Sequence, residues 1–202
     1  MNNWLWVLVF VLLFLIVYEN FSNYKEFFEK CVNLLSDDSL WNKTENIEFN
    51  NCYSYAFTDM SSNKTHEKPQ PGEKGKYENL DHSNNEYSCS IMIKKTLSDF
   101  PDAVFLGNDP SINAIECDCS QCVEGCSNHM VFLAIDQENE DYHFYRRNTN
   151  KLWTHKPGSL PIDHYDSNNI IISNPYYSGK NFPDFNYKTN CGFFCTKTHN
   201  II

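Results

Sequence analysis

Cysteine and histidine side chains offer the clearest chemistry in this sequence of 202 residues. Cys52 follows two asparagines and opens the run Cys-Tyr-Ser-Tyr-Ala-Phe, a pattern that predicts a helix beginning at Cys52. A thiol in the first turn of a helix lies where backbone N–H groups stabilise a thiolate. Cys52 is therefore the candidate nucleophile.

Two histidines are candidate bases for this thiol. His129 opens the run His-Met-Val-Phe-Leu-Ala-Ile, and His143 lies on the next predicted strand, after a hairpin. An imidazole beside a cysteine accepts the thiol proton, and a third polar group orients that ring. We expect the two histidines to lie next to each other across the strand pair, one as base and one as orienting group. The alternative is a buried structural cysteine with two ordinary strand histidines, because nine Cys and seven His give many such pairs.

A second candidate site consists of four closely spaced cysteines, Cys117, Cys119, Cys122 and Cys126. Four thiolates can bind zinc, but all-thiolate zinc sites usually use two separated Cys-x-x-Cys pairs, and this cluster has one. We favour disulfides over a metal ion here, and we predict no cofactor. Cys191 and Cys195 are expected to anchor the C-terminal segment.

The elements that must position these residues are helices first and strands afterwards. Apolar periodicity predicts helices over residues 21–35, from Cys52 onward, and over 87–100. The polar stretch 61–75 is predicted to be a loop. Predicted strands follow at 103–106, 130–135, 142–145, 170–172 and 192–194. This order indicates an α+β fold with an antiparallel sheet.

Composition limits the classes of function. The formal charge of −10 comes from 26 acidic and 16 basic residues without a basic stripe, so we predict no nucleic-acid binding. Nine cysteines are many for a cytosolic protein, and eight of them could form four disulfides. N-glycosylation triplets begin at Asn20, Asn42 and Asn63. These features are typical of a glycoprotein domain in an oxidising compartment.

Residues 4–18 contain no charged or amide side chain and predict a single-pass membrane anchor. Their roughly 22 Å of helix is short for a bilayer, but the flanking residues extend it. The alternative is a cleaved signal peptide, although the basic flank and small cleavage residues of such peptides are missing. We therefore divide the chain into an anchor (1–21), a juxtamembrane helix and linker (22–49) and a cysteine-rich domain (50–202). This domain would lie on the lumenal, extracellular or virion side of the membrane.

Five motifs occur in order between residues 52 and 195: Cys-Tyr-x-Tyr-Ala, Gln-Pro-Gly, Asp-Tyr-His-x-Tyr-Arg, Trp-x-His-Lys-Pro-Gly and Cys-Gly-Phe-Phe-Cys. Together they resemble a poorly characterised family found in bacteria, phages and large DNA viruses. More remotely, their order resembles the papain-like peptidoglycan hydrolases of the NlpC and CHAP types.

This resemblance implies a papain-like fold in which Cys52 is the nucleophile. Either His129 or His143 would be the base and the other the orienting group, and only His143 lies inside one of the motifs. The implied activity is that of a cysteine peptidase or amidase acting on peptide or peptidoglycan-like amides. The alternative is a non-catalytic membrane or virion surface protein that uses the same fold for binding.

Overall fold

The computed structural model describes residues 18, 38–60, 68–78, 85–115, 117 and 128–198. The predicted anchor, apart from Tyr18, and the predicted helix 21–35 lie outside the described residues. Within the described ranges, no helix combines the length and apolar character that crossing a bilayer requires.

An antiparallel sheet of five strands forms the centre of the described domain. The strands are β1 (Val104–Gly107), β2 (Asn128–Asp136), β3 (Asp141–Arg147), β4 (Trp153–His155) and β5 (Thr189–Lys197). Their spatial order is β1-β5-β2-β3-β4, and every pairing is antiparallel. The last strand of the chain therefore lies inside the sheet, between β1 and β2.

Short helices precede the sheet in the sequence. They are α1 (Asp38–Trp41), α2 (Thr44–Ile47), α3 (Cys52–Ala56) and α4 (Cys89–Asp99). A 3-10 helix, Pro110–Ala114, follows β1. The predicted helix that begins at Cys52 and the predicted helix near 87–100 are confirmed as α3 and α4. The α+β class is likewise confirmed.

The prediction of a strand over residues 170–172 is wrong. Ile171 makes only an isolated bridge to Tyr165, outside the five-stranded sheet. The chain turns here because Oδ1 of Asp166 accepts the backbone N–H groups of Asn168 and Ile170. Conversely, β4 was missed because three residues give too short a pattern for alternation to be recognised.

Apolar side chains are buried on both faces of the sheet. Side chains alternate along a strand, so Tyr142 and Phe144 of β3 pack in the cluster that includes α3, while Tyr145 packs in the opposite one. Two disulfides, Cys89–Cys191 and Cys117–Cys195, link other segments to β5. The general prediction of disulfides, and that of Cys191 and Cys195 as anchors, are confirmed in the described part of the chain, but Cys117 pairs outside its cluster, and four disulfides stay a prediction.

Candidate active site

The start of α3 is fixed by a capping box around Asn51. Its Oδ1 atom accepts the backbone N–H groups of Tyr53 and Ser54, each at 3.1 Å. In return, the Ser54 hydroxyl accepts the backbone N–H of Asn51 at 3.1 Å. Cys52 consequently occupies the first helical position, and it is the only free cysteine among the described residues.

A buried lysine holds the segment that leads into this helix. Nζ of Lys156 donates to the carbonyl oxygens of Ile47 (2.7 Å), Asn50 (2.6 Å) and Gly158 (2.6 Å). An ammonium group has three donors, and all of them are satisfied here. Burial lowers the pKa of Lys156 to about 8. The ammonium therefore ties the residues before Cys52 to those that follow β4.

The thiol of Cys52 meets the edge of β3. Its Sγ atom lies 3.9 Å from the carbonyl oxygen of Tyr142 and accepts a backbone hydrogen bond from Phe144. This edge is open because β4 pairs only with residues 145–147 of β3. The side chain of Cys52 is 5% exposed, and burial raises the pKa of the thiol to about 12. The resting thiol is therefore protonated at neutral pH.

His143 and His155 form a hydrogen-bonded pair on neighbouring strands. The Nε2 atom of His143 lies 2.7 Å from Nδ1 of His155, and Nε2 of His155 lies 3.0 Å from the carbonyl oxygen of Tyr165. A carbonyl only accepts, so in neutral His155 the proton is on Nε2 and Nδ1 accepts. His143 must then donate from Nε2, which leaves its Nδ1 with the free lone pair.

The surroundings keep both imidazoles neutral. Burial lowers the pKa of His143 well below its usual value, and the neighbouring His155 lowers it further. Burial also lowers the pKa of His155. A neutral imidazole with an unprotonated Nδ1 is the form that can accept a proton.

The ring of Tyr187 packs against His143, and the carboxylate of Asp141 holds that ring in place. The ring of Tyr187 stacks on the imidazole at 5.0 Å between centroids and an interplanar angle of 26°. The Tyr187 hydroxyl donates to Oδ2 of Asp141 at 2.6 Å. Asp141 and His143 are two residues apart on β3 and therefore lie on the same face of the sheet.

His129 lies elsewhere. The structure pairs Ala134 with His143 across β2 and β3, whereas His129 pairs with Thr196 of β5. The expectation that His129 and His143 lie next to each other is wrong, because this hairpin register would place His129 beyond the end of β3. The Nε2 atom of His129 lies 2.7 Å from the carbonyl oxygen of Ala56, and its Nδ1 lies 3.2 Å from the hydroxyl of Thr198.

One cavity brings the remaining candidates together. It has a volume of about 600 Å³ and is lined by Cys52, His143 and His155, among others. Cys52 lies on the α3 side of the sheet and His143 on the other face, and both line the cavity, as does the start of β3, which β4 leaves unpaired. Sequence reasoning did not select His155 for this site. The sequence does contain His155 within the Trp-x-His motif. However, only the register of β3 and β4 shows that this histidine pairs with His143.

The cysteine cluster offers no zinc site that the structure describes. Cys117 is bonded to Cys195, so its sulfur is not a thiolate, and Cys119, Cys122 and Cys126 lie outside the described residues. No group of three or more metal-binding side chains occurs in the described ranges.

Comparisons with protein-family models, curated proteins and solved structures find no match to this chain. The geometry around Cys52 therefore carries the functional conclusion.

Proposed function

We propose that this protein is a cysteine hydrolase, a peptidase or amidase whose nucleophile is Cys52. The observation that carries this proposal is a single cavity lined by a free thiol and by a hydrogen-bonded pair of imidazoles. Hydrolysis of an amide by a thiol needs a nucleophile, a base and an orienting group within reach of one substrate. Cys52, His143 and His155 supply these three groups.

In the proposed mechanism, His143 acts through Nδ1, because its Nε2 proton is donated to His155. The thiol and the imidazole are neutral at rest, since burial raises the pKa of Cys52 and lowers that of His143. As the sulfur attacks the amide carbon, its proton moves to His143, which passes it to the departing amine. The acyl group is then bonded to sulfur. His143 takes a proton from a water that attacks the acyl carbon, the C–S bond breaks to release the acid, and the proton on His143 returns to the Cys52 sulfur.

The arrangement of elements supports a papain-like fold, as the resemblance to NlpC-type hydrolases implies. The nucleophile begins a helix, and the base and orienting residue lie on consecutive antiparallel strands. His155, rather than His129, takes the orienting role in this proposal. His129 instead joins the end of α3 to the C-terminal segment through its two ring nitrogens.

A non-catalytic binding or virion surface protein is the rival function. The observation that favours it is the burial of Cys52, whose thiol makes no hydrogen bond to His143 within the described part of the chain. A structural cysteine would have both properties. The two functions differ in whether Cys52 reacts with an electrophile that mimics an amide, and whether His143 is needed for that reaction.

The test is labelling of the full-length protein with a peptidyl acyloxymethyl ketone, followed by mass spectrometry of the peptide that contains Cys52. We expect labelling in the native protein, none in Cys52→Ser, and a loss of roughly 10²-fold or more in His143→Ala. His164→Ala is the matched control, since this exposed imidazole bonds to Asp38 and does not line the cavity. Unlabelled Cys52 in the folded protein, or equal labelling in His143→Ala, would remove the hydrolase proposal.

We further propose that residues 4–18 hold the domain at a membrane, on its lumenal, extracellular or virion side. The two disulfides support this location, because such bonds persist mainly in oxidising compartments. Alkaline carbonate extraction of membranes from expressing cells, with protease added outside sealed vesicles, tests the anchor and the side. Release by carbonate would contradict the anchor.

A further inference from the structure

The wall of the active-site cavity carries negative charge. Three carboxylates line it, Asp141, Asp163 and Asp184, and no lysine or arginine is among the lining residues that the structure describes. The buried ammonium of Lys156 does not line the cavity, and its three donors are bonded to backbone carbonyls, so it does not bind a ligand there. It acts on Cys52 through its charge, but this one positive charge is outnumbered by the three carboxylates. A cleft lined by one sign of charge concentrates ions of the opposite sign.

Aromatic rings form much of the remaining wall. Phe185 stacks on Tyr187 at 5.8 Å and 21°, and Tyr187 in turn stacks on His143 at 5.0 Å and 26°. Tyr87, Tyr142 and Phe182 also line the cavity. Uncovered ring faces attract organic cations, and the attraction increases when the cation is desolvated. Because Tyr187 is stacked on both Phe185 and His143, the other rings of the wall have to supply such a face. Carboxylates beside aromatic faces therefore favour an organic ammonium over an anion.

A buried polar group also faces this space. The imidazole of His143 is 4% exposed and lines the cavity. Its only hydrogen bond among the described residues runs from Nε2, so Nδ1 is available to a group that enters. Burial keeps this ring neutral, and hence it does not offset the three carboxylates.

We infer that the substrate presents a positively charged primary amine to this cavity, close to the scissile amide. The carboxylates of Asp163 and Asp184 bind the ammonium group, and the aromatic wall contacts its apolar neighbour. This inference rests on the proposed function, whose substrate class it names.

Charged thiol reagents of similar size measure this preference without a known substrate. The full-length protein is treated separately with 2-aminoethyl methanethiosulfonate, which carries a primary ammonium group, and with 2-sulfonatoethyl methanethiosulfonate. In each case, the Cys52 sulfur attacks the thiosulfonate sulfur, forming a mixed disulfide and releasing methanesulfinate. Mass spectrometry of the Cys52 peptide gives each rate, and the same reagents with 2-mercaptoethanol give the reference ratio.

We expect the ratio of cationic to anionic rates to exceed the reference by about tenfold or more at low salt. It should fall at least about threefold in Asp163→Asn and in Asp184→Asn, and toward the reference in about 1 M NaCl. Glu48→Gln is the control, because this exposed carboxylate does not line the cavity, and it should leave the ratio unchanged.

Three results would overturn the inference: a ratio equal to the reference, a ratio unaffected in the Asp163→Asn/Asp184→Asn double variant, or reaction of Cys52 only after denaturation. Failure of the hydrolase proposal looks different. In that case, the charge preference would be present, but labelling by the acyloxymethyl ketone would not depend on His143.

Discussion

The Nε2 atom of His143 lies 2.7 Å from Nδ1 of His155, and this contact connects β3 to β4 at the point where β4 ends. The carbonyl oxygen of Tyr165 accepts a second hydrogen bond, from Nε2 of His155, at 3.0 Å. Together, the two bonds set the tautomer of both rings. In the proposed mechanism, they would orient His143 as the base without a carboxylate as its direct partner.

Replacing His155 should disorient the base. We expect His155→Leu to slow acyloxymethyl ketone labelling of Cys52 by roughly 10²-fold, since His143 loses the acceptor that fixes its tautomer. His155→Asn should recover part of this loss because the amide oxygen can accept from an imidazole. Thermal unfolding of both variants separates orientation from stability. Equal labelling rates in His155→Leu and the native protein would exclude the orienting role.

The elements that the sequence predicts are those specified by local signals. Asn51 marks the start of α3, and the apolar periodicity of β2 and β3 is visible without a partner. The site required tertiary information. His155 lies on a strand of three residues, and its bond to His143 depends on the register of β3 and β4. Pairing of Cys117 with Cys195, 78 residues apart, depends likewise on the position of β5.

The buried histidines should make the domain less stable in acid. Unfolded imidazoles titrate near about pH 6.5, whereas the folded-state pKa values of His143 and His155 are lower. Below about pH 6.5 the unfolded chain therefore binds more protons, so the free energy of unfolding falls as the pH falls, by up to about 1.4 kcal/mol per histidine per pH unit. Urea denaturation at about pH 7 and about pH 5 measures this dependence.

In the His143→Gln/His155→Gln double variant, the loss of stability between these two pH values should be smaller. His164→Gln is the control, because this imidazole is exposed. An equal pH dependence in the double variant and the native protein would show that His143 and His155 do not cause the loss of stability in acid.

Lys156 should be important for stability. Lys156→Met leaves three buried or partly buried carbonyls without a donor, and each unsatisfied acceptor costs about 1–3 kcal/mol. We expect the free energy of unfolding, measured in urea, to fall by about 3 kcal/mol or more. Lys68→Met is the matched control, since the hydrogen bond from Nζ of Lys68 to Ser159 is exposed, and this variant should change stability by less than about 0.5 kcal/mol. Similar effects of the two substitutions would contradict the role given to Lys156.

The Cys89–Cys191 disulfide closes a sequence separation of 102 residues and joins α4 to the inner strand β5. A cross-link over a loop of this length stabilises a fold by roughly 4 kcal/mol, mainly by restricting the unfolded chain. The Cys89→Ala/Cys191→Ala double variant should therefore lose stability of that order in urea denaturation. A loss below about 1 kcal/mol would show that the bond contributes little.

Acyl transfer to Cys52 is the central claim, and intact-protein mass spectrometry tests it most directly. The full-length protein is mixed with the thiophenyl ester of an N-terminally free dipeptide, which supplies both an activated carbonyl and an ammonium group. We predict that one acyl group appears on Cys52, that the adduct decays as water releases the acid, and that neither step occurs in His143→Ala. A protein that stays unacylated, or one acylated equally well without His143, would contradict the account.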